Sequence, residues 1–130
     1  MPQKELEVIL SRHLAEYLAL PIFIVDPVGD MIYYNEPAEV VLGIRYVETG
    51  AMPASEWSTV FLPEDKEGNP IEPRDLPLMI ALAEQHPAHK NFWIKGLDGK
   101  ARQIELTAIP LIAQADRFLG AIAIFWEVSA

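Results

Sequence analysis

The residues best suited to chemistry in this chain are its histidines and carboxylates. His86 and His89 stand three apart, with Glu84 close by. A zinc-type ion needs at least three convergent ligands of this kind. Pro87 interrupts the run, so the two imidazoles need not share a helix face. An ordinary loop at the end of a helix is the better reading, and no metal site is expected. His13 lies on the apolar face of an amphipathic segment. A half-buried histidine at a helix–helix contact is the plain reading there, and a pH-sensitive contact the sharper one. Glu5 and Glu7, like Glu64, Asp65 and Glu67, are neighbours in sequence only. Acid–base work needs carboxylates buried and set against one another, so these read as solvated faces. Gly96-Leu-Asp-Gly99 has the G-x-x-G form of an RNA-clamping loop. It sits between two strand patterns in an acidic chain, and a hairpin turn explains it better. No G-x-S-x-G, P-loop or G-x-G-x-x-G is present, and no catalytic residue is assigned.

Composition narrows the classes further. The chain has 130 residues, 51% of them apolar, with a formal net charge of −9 and no cysteine. That suits one globular domain and argues against disorder. Without cysteine there is no disulfide framework, no thiolate metal site, no cysteine nucleophile and no flavin–cysteine adduct. An acidic surface repels nucleic acid and anionic lipid alike, so neither is an expected partner. No apolar run approaches the roughly 18 residues a membrane helix needs. The opening MPQKELEVIL lacks a basic start followed by an apolar run, so a secretory signal is not expected and a cytoplasmic location is.

The elements follow from periodicity. Leu6, Ile9, Leu10, His13, Tyr17 and Leu20 recur at steps of three and four, with Lys4, Glu7, Arg12 and Glu16 opposite. The spacing predicts an amphipathic helix over 3–20 that Pro21 ends. Residues 21–25 and 31–34 read as two strands joined by the turn Asp26-Pro-Val-Gly-Asp30, a hairpin. Asn35 is a candidate N-cap for a short helix carrying Ala38, Val40, Val41 and Leu42 that stops at Gly43. Residues 44–74 read as a long irregular connection with room for one-turn helices, anchored by Trp57 and Phe61. Asp75 is expected to cap another helix, with Pro77 in its first turn and Leu78, Met79, Leu82 and Ala83 on one face; His86-Pro87 closes it. Three strands follow: 89–97, 101–112 and 118–128. Asp98-Gly99 marks the hairpin between the first two. In the second, Ile104, Leu106 and Ala108 alternate with Gln103, Glu105 and Thr107. Two strands, inserted helices and three strands imply an α+β domain, a five-stranded antiparallel sheet with helices on one face. On alternating strands Trp93 and Trp126 cannot share a face with Phe92 and Phe125, so one pair points inward and the other outward. Outward aromatics want a cover, which the first helix can supply from its own chain or a partner.

This order of motifs resembles the PAS domain family. Phe23-Ile-Val-Asp26, Gly29-Asp-Met-Ile32, Asn35 and Ala38 are similar to its opening pattern. Leu97-Asp-Gly-Lys100, Arg102 and Ala108-Ile-Pro110 resemble its later hairpin, and Gly120-Ala-Ile-Ala-Ile124 with Glu127-Val-Ser129 its closing strand, where many members carry Asp in place of Glu127. Gly68-Asn-Pro-Ile-Glu-Pro73 with Asp75-Leu-Pro77 resembles the segment that leads into the central helix of one common subgroup. The likeness spans residues 18–129.

The resemblance implies a non-enzymatic sensor or interaction module in signal transduction or transcriptional regulation, with residues 1–20 as a dimerisation helix and 21–130 as the PAS domain. It implies a cavity between sheet and central helix, at Leu78, Leu82, Phe92, Leu106 and Ile124, suited to a small apolar ligand or none. It implies a homodimer contact, which the heptad-like steps place at Leu6, Leu10, His13 and Tyr17, and a downstream effector as partner. Haem-binding members most often ligate iron through a histidine of the central helix. Residues 76–85 hold none, so haem is disfavoured; non-covalent flavin stays open, and the cofactor is left unassigned. The competing reading is a small isomerase-like enzyme on a cone-shaped α+β fold with a buried carboxylate base. Asp26 and Glu105 are the acids it would use, and both are expected at turns or facing water.

Overall fold

The computed structural model of the protein describes residues 20–128. The expected dimer contact at Leu6, Leu10, His13 and Tyr17 lies outside the described residues.

Strand β1 (Ile22–Val25) pairs antiparallel with β2 (Met31–Tyr34). Asp26 sets the turn between them: its Oδ1 accepts the amides of Val28 at 3.1 Å and Asp30 at 2.9 Å. Asn35 then caps helix α1 (Glu36–Leu42), its Oδ1 accepting from the Ala38 amide at 3.2 Å. The same oxygen accepts from the Ile22 amide at 2.9 Å, and Nδ2 donates to the Leu20 carbonyl at 2.9 Å. One buried side chain therefore starts a helix and ties it to the entry of β1. Gly43 ends α1 in the left-handed region, and a Cβ there would lie 2.6 Å from the Asp98 amide nitrogen. Only glycine lets the helix end meet the later hairpin.

The long connection holds more structure than its sequence suggests. It forms α2 (Tyr46–Thr49), α3 (Ala54–Val60) and a 3-10 turn over Pro73–Asp75. Tertiary contacts fix it. The Tyr34 hydroxyl donates to the Ile44 carbonyl at 3.0 Å, and Trp57 Nε1 donates to the Gly29 carbonyl at 2.8 Å. Trp57 and Phe61 are both buried in the core, as expected of anchors. Helix α4 (Pro77–Glu84) is capped by Leu76, not by Asp75. Pro77 explains the shift: proline suits the first helical position and forces the preceding residue to be extended. Leu76 has ψ 141°. The helix buries Pro77, Leu78 and Ala81, whereas Met79 and Leu82 are half-buried and Ala83 is exposed.

Strands β3 (Ala88–Lys95), β4 (Ala101–Ile112) and β5 (Phe118–Glu127) complete the sheet. Its order is β2-β1-β5-β4-β3, antiparallel throughout. The last strand thus lies at the centre, between β1 and β4. Gly120 makes that insertion possible. With φ at +120°, it leaves no room for a side chain, and a Cβ would collide with the Val25 carbonyl oxygen.

The sheet has two unlike faces. The inner face carries Phe23, Phe92, Ile94, Ile104, Leu106 and Phe125 against the helices, and forms the main core. The outer face carries Ile22 and Ile24 packed with Ile32, Tyr33, Ile122 and Ile124. Trp93 and Trp126 stand on that outer face, 38% and 37% exposed, while Phe92 and Phe125 are buried on the inner one.

Candidate functional site

A cavity of about 60 Å³ lies between the inner sheet face and the helices. Phe23, Phe92, Ile94, Ile104, Leu106 and Phe125 form its sheet wall. Leu42, Trp57, Phe61, Leu76, Pro77 and Leu78 supply much of the rest. Trp57 Nε1 is the one polar side-chain atom among its lining residues, and the Gly29 carbonyl already accepts from it. The cavity therefore offers no free side-chain donor or acceptor. It can hold a molecule by shape and dispersion, not by hydrogen bonds.

Of the residues expected here, Leu78, Phe92 and Leu106 line the cavity. Leu82 packs against the edge of the core without reaching it. Ile124 is a correction: it lies on the opposite face, with Ile22 and Ile122. Side chains alternate along a strand, so a strand that turns Phe125 inward must turn Ile124 outward. Trp57, Phe61 and Leu42 are lining residues that the sequence placed in the core without placing them at the cavity. Their spacing carries no such signal, because Leu42 comes from α1 and Trp57 and Phe61 from α3 and its end.

The other candidate residues sit away from this cavity. Asp26 holds the first hairpin turn, and Glu105 stands on the outer face opposite Trp126. Neither lines the cavity, and among the described residues no carboxylate does, so the isomerase-like reading is not favoured. His86 and His89 part company. His86 reaches Glu84 at 3.1 Å on the surface. Its backbone contact with the Pro87 carbonyl, then the Glu84 carboxylate, raises its pKa above the ordinary imidazole value. His89 points from β3 to Thr107 Oγ1 at 2.8 Å. Among the described residues no three such side chains converge on a metal position. The acidic stretch is a solvated turn: Asp65 Oδ1 accepts from the Glu67 and Asn69 amides, which lowers its pKa.

Haem and flavin do not fit. Small-molecule pockets run from about 300 to 1,000 Å³, several times this cavity. Among the described residues no imidazole lines it to ligate iron, and the chain has no thiol to form an adduct.

A second cluster joins the hairpin to α1. Arg102 donates to Asp98 at 2.8 Å and to the Val41 carbonyl at 2.9 Å, and the Leu97 amide donates to the Leu42 carbonyl at 2.8 Å. The Arg102 hydrogen bonds, aided by the Lys100 amide, hold the Asp98 carboxyl down to about 2. The pair satisfies carbonyls at the end of α1 that the helix leaves open. It builds the wall of the core rather than a reactive centre.

Comparison with known proteins agrees with this architecture. The family model described as PAS fold matches residues 10–128. The chain belongs to the PAS family, a class of sensory and signalling domains. Among solved structures it is similar to the PAS domain of BvgS from Bordetella pertussis, with 15% identity over 95% of this chain and 87% of that one, at a TM-score of 0.65. It is also similar to the PAS domain of nitrogen regulation protein NR(II) from Vibrio parahaemolyticus, with 16% identity, coverage of 92% and 98%, and a TM-score of 0.63. An RNA-binding Light-Oxygen-Voltage receptor matches at 21% identity over 98% of this chain and 34% of that one, with a TM-score of 0.70. At these identities the likeness is one of fold. A comparison with curated proteins returns no match. Among the described residues no helix is long and apolar enough to cross a membrane.

Proposed function

We propose that this chain is a non-enzymatic sensor and interaction module that takes a small apolar ligand in its cavity and passes the signal through its outer sheet face. The division of the sheet carries this reading. One face closes around a hollow with no free polar side chain among the described residues; the other leaves Trp93, Trp126 and Ile109 exposed. A soluble domain that exposes large apolar side chains on one face has a partner for them. The partner proposed is a second copy, engaged through the stripe Leu6, Leu10, His13 and Tyr17 together with this face, with an effector acting downstream in the cytoplasm. No carboxylate lines the cavity among the described residues, which supports the non-enzymatic reading over the isomerase-like one.

Light scattering on the wild type and on Leu10→Asp tests the dimer. Twice the chain mass for the wild type and a lower mass for the variant are expected. An unchanged monomer mass in both would remove the dimer from the proposal. Native mass spectrometry of the purified protein tests the ligand, which should appear as a small mass increment that Leu106→Trp abolishes.

A further inference from the structure

Two hollows meet at Pro63. One is the cavity between the sheet and the helices, itself partly open. The other is a groove of about 460 Å³ on the outside of the fold, with Leu62, Pro70 and Ile71 as its apolar lining and Glu64 and Lys95 as its charged residues. Pro63 lines both. Building on the reading of the cavity as a ligand site, we infer that its ligand is an uncharged apolar molecule of the size of dioxygen or xenon. It enters from this groove, past Pro63, when segment 62–71 swings away from the sheet edge.

Size and polarity fix the class. A dry cavity of about 150 Å³ accepts benzene. The cavity here has about 60 Å³ and no free polar side chain, which leaves room for a few atoms and no grip on a charged or hydrogen-bonding group.

The route follows from what holds each wall. The sheet wall is made of strands paired along their lengths. Helix α1 is pinned at its start by Asn35 and at its end by Arg102. Segment 62–71 is joined to β3 by two backbone hydrogen bonds, exchanged by Glu64 and Trp93 at 2.8 and 2.9 Å; Phe61, whose carbonyl accepts from the Lys95 amide at 2.7 Å, stays anchored in the core. The Leu62 amide ties the segment back to α3 through the Thr59 carbonyl at 3.0 Å, and its other bonds are internal, such as the Ile71 amide to the Pro63 carbonyl at 2.9 Å. It can therefore swing about the Leu62 joint once the Glu64–Trp93 pair opens and Pro63 leaves its buried seat. Leu62 adds a bias toward movement. It holds φ at +49°, a left-handed conformation that a leucine adopts at a cost, at the joint where the segment leaves α3. Its side chain is 58% exposed, so burial does not repay that cost.

The test is a reversible clamp. Glu64 and Trp93 are a hydrogen-bonded antiparallel pair, whose Cα atoms lie about 5.5 Å apart, within the range a disulfide spans. The chain has no cysteine of its own, so the double variant E64C/W93C can form no other intramolecular bond. Xenon is the probe, followed by amide and methyl NMR shifts of the full chain. Saturable shifts at Leu78, Phe92 and Leu106 are expected in the wild type. Oxidation of E64C/W93C should leave xenon affinity nearly unchanged and slow its exchange roughly tenfold, as closing a gate does, and reduction should restore the rate. An oxidised form that exchanges as fast as the reduced one overturns the route and leaves the ligand site standing. Absence of xenon shifts at the cavity residues in the wild type overturns the site itself. Should the double variant not fold, Pro63→Ala decides the route: faster exchange supports it, and an unchanged rate overturns it.

Discussion

Asn35 is 1% exposed and satisfies three backbone groups at once, from Leu20, Ile22 and Ala38. Replacing it by alanine strands a buried amide and a buried carbonyl as well as removing a cap. Asn35→Ala should cost about 2–4 kcal/mol in urea unfolding, while Asn35→Asp should cost less, since it keeps the accepting oxygen. Equal stability of Asn35→Ala and the wild type would refute that account. The cap was legible in the sequence because it is local: Asn, then Glu-Pro, then an apolar run. The bonds to Ile22 and Leu20 were not, because they span 13 and 15 residues. Asp98 gives a second prediction. Its pKa in the folded protein is held at about 2 by Arg102, below the unfolded value of about 3.9. A depressed folded-state value means the contribution is fully present above about pH 4 and lost as pH falls through about 2. A carboxyl NMR titration should place the Asp98 midpoint near 2 in the wild type and nearer the ordinary value in Arg102→Met. Matching midpoints would show that Arg102 is not the cause.

Among elements, the strands and the two helices with capping signals could be read from the chain, and the connection could not. Strand β4 was legible residue by residue, since Ile104, Leu106 and Ala108 face the core and Gln103 and Thr107 do not. Helices α2 and α3 have four and seven residues, too short to be stable alone. They form because Tyr34, Tyr46 and Trp57 tie them to the first hairpin, through contacts no local pattern encodes. The Trp57 indole ties α3 to the hairpin turn through the buried Gly29 carbonyl. Trp57→Phe keeps most of the packing and leaves the buried Gly29 carbonyl without its donor. A loss of about 1–3 kcal/mol in equilibrium unfolding is expected, larger than for the exposed Val47→Ala, which should fall within about 0.5 kcal/mol. The displaced cap of α4 teaches the same lesson in reverse. Asp75 is a good capping residue, but the constraint proline places on Leu76 decides where the helix begins.

At the scale of the molecule, sequence order hides the feature that matters most, the place of β5. The motif order implies one five-stranded antiparallel sheet but not its strand order, in which the last strand inserts between β1 and β4. That pairing runs across nearly the whole chain, and Gly120 permits it through a close approach that no periodicity announces. Once β5 is central, its alternation assigns opposite duties to adjacent residues. Phe125 is 2% exposed and lines the cavity, whereas Trp126 faces outward beside Glu105. Phe125→Ala should therefore cost about 3–5 kcal/mol in unfolding free energy, as large-to-small changes in a core do. Trp126→Ala should change the stability of the monomer by less than about 1 kcal/mol. If the outer face joins two copies, the same Trp126→Ala should raise the dimer dissociation constant by at least about tenfold, as loss of an interface tryptophan does. Light scattering across a dilution series reads the association, and urea unfolding at low concentration reads the fold. A Trp126→Ala protein with normal association and a collapsed unfolding midpoint would reverse the assignment, making the outer tryptophan a core residue and leaving the exposed face without a role in dimerisation.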